Sequence, residues 1–144
     1  MSYLRFAVVA TLLALSVIAS PAQPVAACTC LPPPPPADAF ASATAVFHGR
    51  VVQIEPAPEG RDAFMGSLLV RFQVEQSWKG PGSPELLVGT ARDSAACGYS
   101  FRPGADYLVY AYGDAGSLAT NLCSRTAAGR PAADIEFLES TQVT

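Results

Sequence analysis

Four cysteines constrain this chain more than any other feature: Cys28 and Cys30, a single threonine apart, and Cys97 and Cys123, far downstream. An even number of cysteines in an exported chain reads as a disulfide framework. A bond between Cys28 and Cys30 would close a tight, strained ring, so both are expected to reach into the distal part of the chain. Two pairings satisfy that condition. Either closes loops of about 70 to 95 residues, each worth up to about 4 to 5 kcal/mol in the chain-entropy account. The N-terminal segment is then stapled twice to the body. Structural zinc fits the same residues poorly, because it favours Cys-X2-4-Cys pairs, and here there are one Cys-X-Cys, two single cysteines and one histidine, His48.

The expectation of export rests on the first 27 residues. Arg5 supplies a positive start, Phe6 to Ile18 is an uncharged apolar run too short to span a bilayer comfortably, and Val25-Ala26-Ala27 is a small-residue cleavage site. Residues 1–27 are therefore read as a signal peptide and 28–144 as the mature domain, with Cys28 at its N-terminus. Two other outcomes stay open: a cut after Ala22, within Ser20-Pro21-Ala22, and acylation of Cys28 at a lipoprotein box, Val25-Ala26-Ala27-Cys28, against which stand the prolines between it and the apolar run. Removing the leader takes away Arg5 and no acid, leaving 8 basic against 12 acidic residues, a formal charge of −4. No cationic surface for nucleic acid follows from that total. Beyond residue 27 no stretch is apolar enough to span a membrane as a helix, so the product is expected to be secreted, soluble and monomeric.

Pro32 to Pro36 fix φ and donate no amide hydrogens, which predicts an extended polyproline ridge at the surface. Asp38 to Ala43 is a short helical run with Phe40 as its inward residue. Alternation and β-branched or aromatic content predict paired strands at Ala45 to Glu55 and Ser67 to Trp78, joined by a Pro- and Gly-rich hairpin loop over 56–66. Further strands are expected at Glu85 to Thr90, Asp106 to Tyr112 and Gly116 to Thr120, the last two joined by a turn at Gly113-Asp114-Ala115. A terminal helix follows, with Pro131 in its first turn and Ile135 and Leu138 on one face. Five strands of this size with short flanking helices suggest a mainly β fold, a small five-stranded Greek-key barrel of the OB type with two disulfides. A β-sandwich of the same strands is the alternative.

The chain offers little for catalysis. His48 lies inside a predicted strand, and there is no Gly-X-Ser-X-Gly elbow, no His-Glu-X-X-His and no phosphate-cradling glycine loop. Paired cysteines cannot be nucleophiles, since the thiolate is the reactive species. The chain is therefore read as a non-enzyme with no cofactor of its own. What remains is the N-terminus. If cleavage exposes Cys28, its α-amine and its carbonyl oxygen form a bidentate ligand set that closes a five-membered chelate on a zinc ion with an open coordination position. An α-amine titrates near about 7.7 to 8, so its deprotonation at neutral pH is cheap.

These residues resemble a known family, the tissue inhibitors of metalloproteinases, whose N-terminal domain belongs to the wider netrin-like module. The resemblance is carried in order by "CTCLPPPPPADAF", "FHGRV", "SWKG", "ACGYSF" and "GSLATNLCS", which together cover nearly the whole mature chain. It implies an OB-like barrel with Cys28 bonded to Cys97 and Cys30 bonded to Cys123. It further implies that the amine and carbonyl of Cys28 chelate the catalytic zinc of a target metalloprotease and displace its water. Thr29 would point into the pocket for the residue after the scissile bond, Cys30, Leu31 and Pro32 would continue along the cleft, and Ala96, Cys97, Gly98 and Tyr99 would extend the contact ridge.

The chain departs from the animal inhibitors in two respects. Apolar residues near Phe40 stand where the first cysteine of a third disulfide would fall, and the cysteine-rich C-terminal subdomain is missing. The alternative function is a secreted netrin-like binding or structural module, in which the same cysteines only staple the barrel, or a lipoprotein acylated on Cys28.

Overall fold

The computed structural model describes residues 28–58 and 68–142. Residues 1–27, where a signal peptide is expected, and residues 59–67, which hold most of the loop expected over 56–66 and the expected strand start at Ser67, lie outside the described residues. Six strands and two helices follow one another as α1 (Pro36–Ser42), β1 (Ala45–Pro56), β2 (Leu68–Lys79), β3 (Glu85–Thr90), β4 (Asp106–Asp114), β5 (Ser117–Ala119), β6 (Ala127–Ala128) and α2 (Ala132–Thr141). A single 3-10 turn, Ser94–Ala96, sits between β3 and β4.

Strand order is β1-β2-β3-β5-β4, and β1 pairs with β4 to close the ring, with β6 added along β4. This is the closed five-stranded barrel expected from the strand pattern. All pairings are antiparallel except β3 with β5, which run parallel through Val88 opposite Leu118 and Gly89 opposite Ala119.

The strands bury two cores, one on each face of the β1–β4 seam. Along β4, Tyr107, Val109 and Ala111 point into the barrel with Phe47, Val51, Val70, Phe72 and Val88. The alternate residues Leu108 and Tyr110 point outward and meet Val46, Ala39, Ala43 and Leu138 under the helices. That double coverage explains why residues 45–49 are all buried and why their alternation in sequence is blurred. Inside the barrel, Phe47, Phe72, Phe101 and Tyr107 meet edge to face, with ring centroids 4.9 to 5.4 Å apart.

One expectation about the helices is refined. Ala39 is the fully buried residue of α1, and Phe40 packs against the same outer core less completely. Phe40 is half-buried at the seam with α2, edge to face with Phe137 at 5.9 Å. Pro131 caps the first turn of α2, its carbonyl accepting from Ile135 N at 3.0 Å. Lys79 closes the other end of α1, its Nζ donating to the carbonyls of Phe40 at 2.8 Å and Ala41 at 3.0 Å, which would otherwise lack partners. α1 is thus docked through an aromatic contact and a lysine cap.

The proline run divides. Residues 31–35 are irregular and extended, whereas Pro36 opens α1 at a position where a missing amide hydrogen costs nothing. The β4–β5 turn falls at Ala115-Gly116, beginning two residues and ending one residue later than expected. Gly113 stays in the ladder with a φ of 101°, and a Cβ there would meet the Ser117 carbonyl oxygen at 2.6 Å.

Candidate functional site

The parallel β3–β5 pair builds the site. Because the two strands run in the same direction, the loops that follow them leave the barrel at the same end. One loop carries Cys97 and the other Cys123, and they are laced together by backbone bonds from Thr120 N to Gly89 O at 2.9 Å and from Leu122 N to Cys97 O at 2.8 Å. The chain's two distal cysteines therefore arrive side by side.

Onto this end the N-terminal segment is fastened. Cys28 is bonded to Cys97 with Cα atoms 5.3 Å apart, and Cys30 to Cys123 with Cα atoms 5.0 Å apart. The two bridges pack against each other, with Cys123 Sγ 4.0 Å from Cys28 Sγ and 3.9 Å from Cys97 Sγ. Although the sulfurs of Cys28, Cys97 and Cys123 lie within 4.8 Å of one another, all are oxidised, and a disulfide sulfur is not the thiolate that a metal takes. Thr29 stands exposed between the two fixed cysteines, and Leu31 beyond them is 86% exposed.

The loop under Cys28 is held without regular structure. Asp93 caps the 3-10 turn by accepting from Ala96 N at 3.0 Å, and Gly98 N donates to Asp93 O at 2.8 Å. Cys97 adopts a left-handed conformation, φ 60°, which costs a residue with a Cβ roughly 1 to 2 kcal/mol and is held here by the disulfide and the closing bond to Ser94 O. Gly98 is obligatory, because a Cβ would lie 2.1 Å from the Ala91 carbonyl oxygen. Tyr99 N donates to Thr90 Oγ1 at 2.9 Å, and its ring packs on Phe101 and Tyr107. Burial there raises the Tyr99 pKa above its ordinary value, with Tyr107 adding to the shift.

The structure brings together all nine residues singled out in the sequence, with different exposures. Cys28, Thr29, Cys30, Leu31 and Pro32 form an extended edge, and Ala96 stands exposed beside Cys97. Gly98 is buried and Tyr99 is turned toward the barrel, so these two support the ridge from below. Leu122 belongs with them and was missed. It is 45% exposed, one residue before Cys123, and its backbone is bonded to Cys97. Its place next to a stapled cysteine was the available signal.

Arg125, also missed, is the polar junction behind the edge. Its guanidinium donates to both carboxylate oxygens of Asp134 on α2, at 2.5 and 3.0 Å, and to the Pro34 carbonyl at 2.8 Å. Asp134 is 4% exposed and also accepts from the Tyr110 hydroxyl at 2.9 Å. Hydrogen bonding to Asp134 raises the Arg125 pKa, and burial together with the Asp134 contact pushes Tyr110 well above the usual tyrosine range. His48 stands apart from this end, buried on β1 across from Gln76 and Leu108; its Nδ1 lies 3.1 Å from Glu75 Oε2, without the alignment of a hydrogen bond.

No curated protein matches the chain. A protein-family model described as Tissue inhibitor of metalloproteinase matches residues 26–128, from two residues before Cys28 to the end of β6. With the disulfide-pinned Cys-Thr-Cys edge at the end of a closed five-stranded barrel, that match over most of the sequence establishes that the chain belongs to the tissue inhibitor of metalloproteinase family.

Proposed function

We propose that the chain, exported and cut after Ala27, inhibits zinc metalloproteases by chelating the target's catalytic zinc through the α-amine and carbonyl oxygen of Cys28. Family membership supports inhibition of metalloproteinases as the class of activity. The observation that carries the chelation reading is the double staple, which fixes Cys28 and Cys30 on either side of an exposed Thr29. A ligand held in its bound shape before it binds loses less entropy on association.

Cleavage is the chemical requirement. In the uncut chain the Cys28 nitrogen is an amide whose lone pair is delocalised into the preceding carbonyl, and it is a poor zinc ligand. After cleavage it is an amine that binds once deprotonated. The chelate would displace the water held by a resting metalloprotease's zinc and, with two donor atoms added to three protein ligands, would make that zinc five-coordinate with no water left to activate. Thr29 enters the neighbouring pocket, Cys30, Leu31 and Pro32 follow the cleft, and Ala96, Cys97 and Leu122 flank it, while Gly98 and Tyr99 hold the ridge. The zinc belongs to the target, and the inhibitor acts as a monomer of one domain, residues 28–144, without a cofactor or nucleic acid. Two disulfides suit the oxidising compartment that export reaches.

N-terminal sequencing and intact mass of the exported protein, followed by inhibition assays on a panel of zinc metalloproteases, test the proposal. A chain that begins with unmodified Cys28 and inhibits is the expected result. A start at Gln23, an acylated Cys28, or an unmodified Cys28 that inhibits none of the panel would instead favour a binding module or a lipoprotein.

A further inference from the structure

We propose that Arg125 is a positioning residue for the contact edge, clamping the proline run so that Leu31 and Pro32 are held in register with the stapled cysteines. The inference rests on the proposed inhibitory reading of that edge. Residues 32–36 are all proline and have no backbone N–H, so their backbone can take part in hydrogen bonds only through its carbonyl groups; Pro36 already belongs to α1, which leaves 31–34 as the stretch between the Cys30 bridge and the helix. Among the described residues, the hydrogen bond that reaches residues 31–34 from the body of the protein is the one from Arg125 Nη1 to the Pro34 carbonyl. Leu31 therefore sits between two fixed points, the Cys30–Cys123 bridge before it and the Arg125 clamp after it.

The clamp is itself rigid. Nε and Nη2 of Arg125 face the two oxygens of Asp134, so the guanidinium plane is set by α2 and a third N–H direction is left for Pro34. Asp134 is in turn held by the Tyr110 hydroxyl, on the outer face of β4. Arg125 thus ties the free side of the edge to α2 and to the barrel in one planar group. A lysine at the same position keeps the charge against Asp134 but has a single nitrogen, and cannot repeat the fork to Asp134 together with the Pro34 bond.

Arg125→Lys is the informative variant, because Arg125→Ala leaves Asp134 buried without its partner and is open to simple unfolding. Two readouts separate positioning from stability. The first is the backbone 15N order parameter of Leu31 in the free protein, with Val88 and Val109 as barrel references. The second is the dissociation rate from an inhibited zinc metalloprotease, which reports only folded inhibitor and is blind to a smaller folded fraction. Arg125→Lys is expected to lower the Leu31 order parameter, leave both valines unchanged, and speed dissociation about tenfold. Combined with Leu31→Ala, the two effects on dissociation should be less than additive. An unchanged Leu31 order parameter, a faster Leu31 with unchanged dissociation, or full additivity would each overturn the proposal. If the wild-type protein inhibits no protease, the inhibitory reading fails on its own, and the order parameter alone then decides whether Arg125 clamps the edge.

Discussion

Thr29 is the side chain that the two bridges present to solvent, one residue from each stapled cysteine. Since it makes none of the barrel's core contacts, Thr29→Gly should leave the melting temperature nearly unchanged while weakening inhibition by about tenfold or more. Equal inhibition would show that the pocket contact is unimportant. Tyr110 does the opposite kind of work. Its ring is fully buried and its hydroxyl donates to Asp134, so Tyr110→Phe should cost about 1 to 3 kcal/mol by leaving a buried carboxylate short of one donor. Burial and the Asp134 contact raise its pKa in the folded state above the ordinary 10.0. The folded protein therefore keeps this proton at a pH where the unfolded chain has lost it. The Tyr110 contribution is complete below about pH 10 and is lost as pH rises from there toward the folded-state pKa. Urea titrations at pH 8 and pH 11 should show the difference between wild type and Tyr110→Phe shrinking at the higher pH, and a constant difference would refute the assignment.

At the scale of elements, the outer core depends on the two helices lying against β1 and β4. Leu138 on α2 is completely buried among Val46, Leu108, Tyr110 and Ala39. Leu138→Ala should destabilise by about 2 to 5 kcal/mol, measured as a lower urea midpoint at unchanged slope. A loss below 1 kcal/mol would mean that α2 is peripheral. The elements that were legible in the sequence are those with a strong local period. β3 was bounded correctly because its buried residues are set off by turn residues on one side and the exposed 92–96 loop on the other. β6 was not legible, since two alanines carry no periodicity, and neither was the parallel β3–β5 contact, which is two residue pairs long and joins segments far apart in sequence. Within α1, size points to Phe40 as the inward residue, whereas the small Ala39 is the one fully buried and Phe40 packs half-buried against the same core. The Arg125–Asp134 fork was invisible for a different reason: it joins a loop to a helix and follows no helical or strand spacing.

For the whole molecule, the barrel works as a mount. Closure of β1 on β4 fixes the strands, the parallel pair sends two loops out at one end, and two disulfides fasten the Cys28-Thr29-Cys30 segment to those loops. The two disulfides that hold the proposed edge join the cysteines that the resemblance of "CTCL" to the family implies, and the proposed zinc ligands are backbone atoms of Cys28, which a sequence motif can mark without a constellation of distant side chains. The supporting parts, Leu122 and Arg125, required the fold. The central claim concerns a single nitrogen atom and is tested most directly by inserting one alanine ahead of Cys28 in the mature protein. The barrel and both bridges stay as they are, but the Cys28 nitrogen becomes an amide. Inhibition of a zinc metalloprotease that the native protein inhibits should fall by about a hundredfold or more, roughly 2.7 kcal/mol of binding free energy. An extended protein that inhibits as well as the native one would contradict chelation by the Cys28 amine.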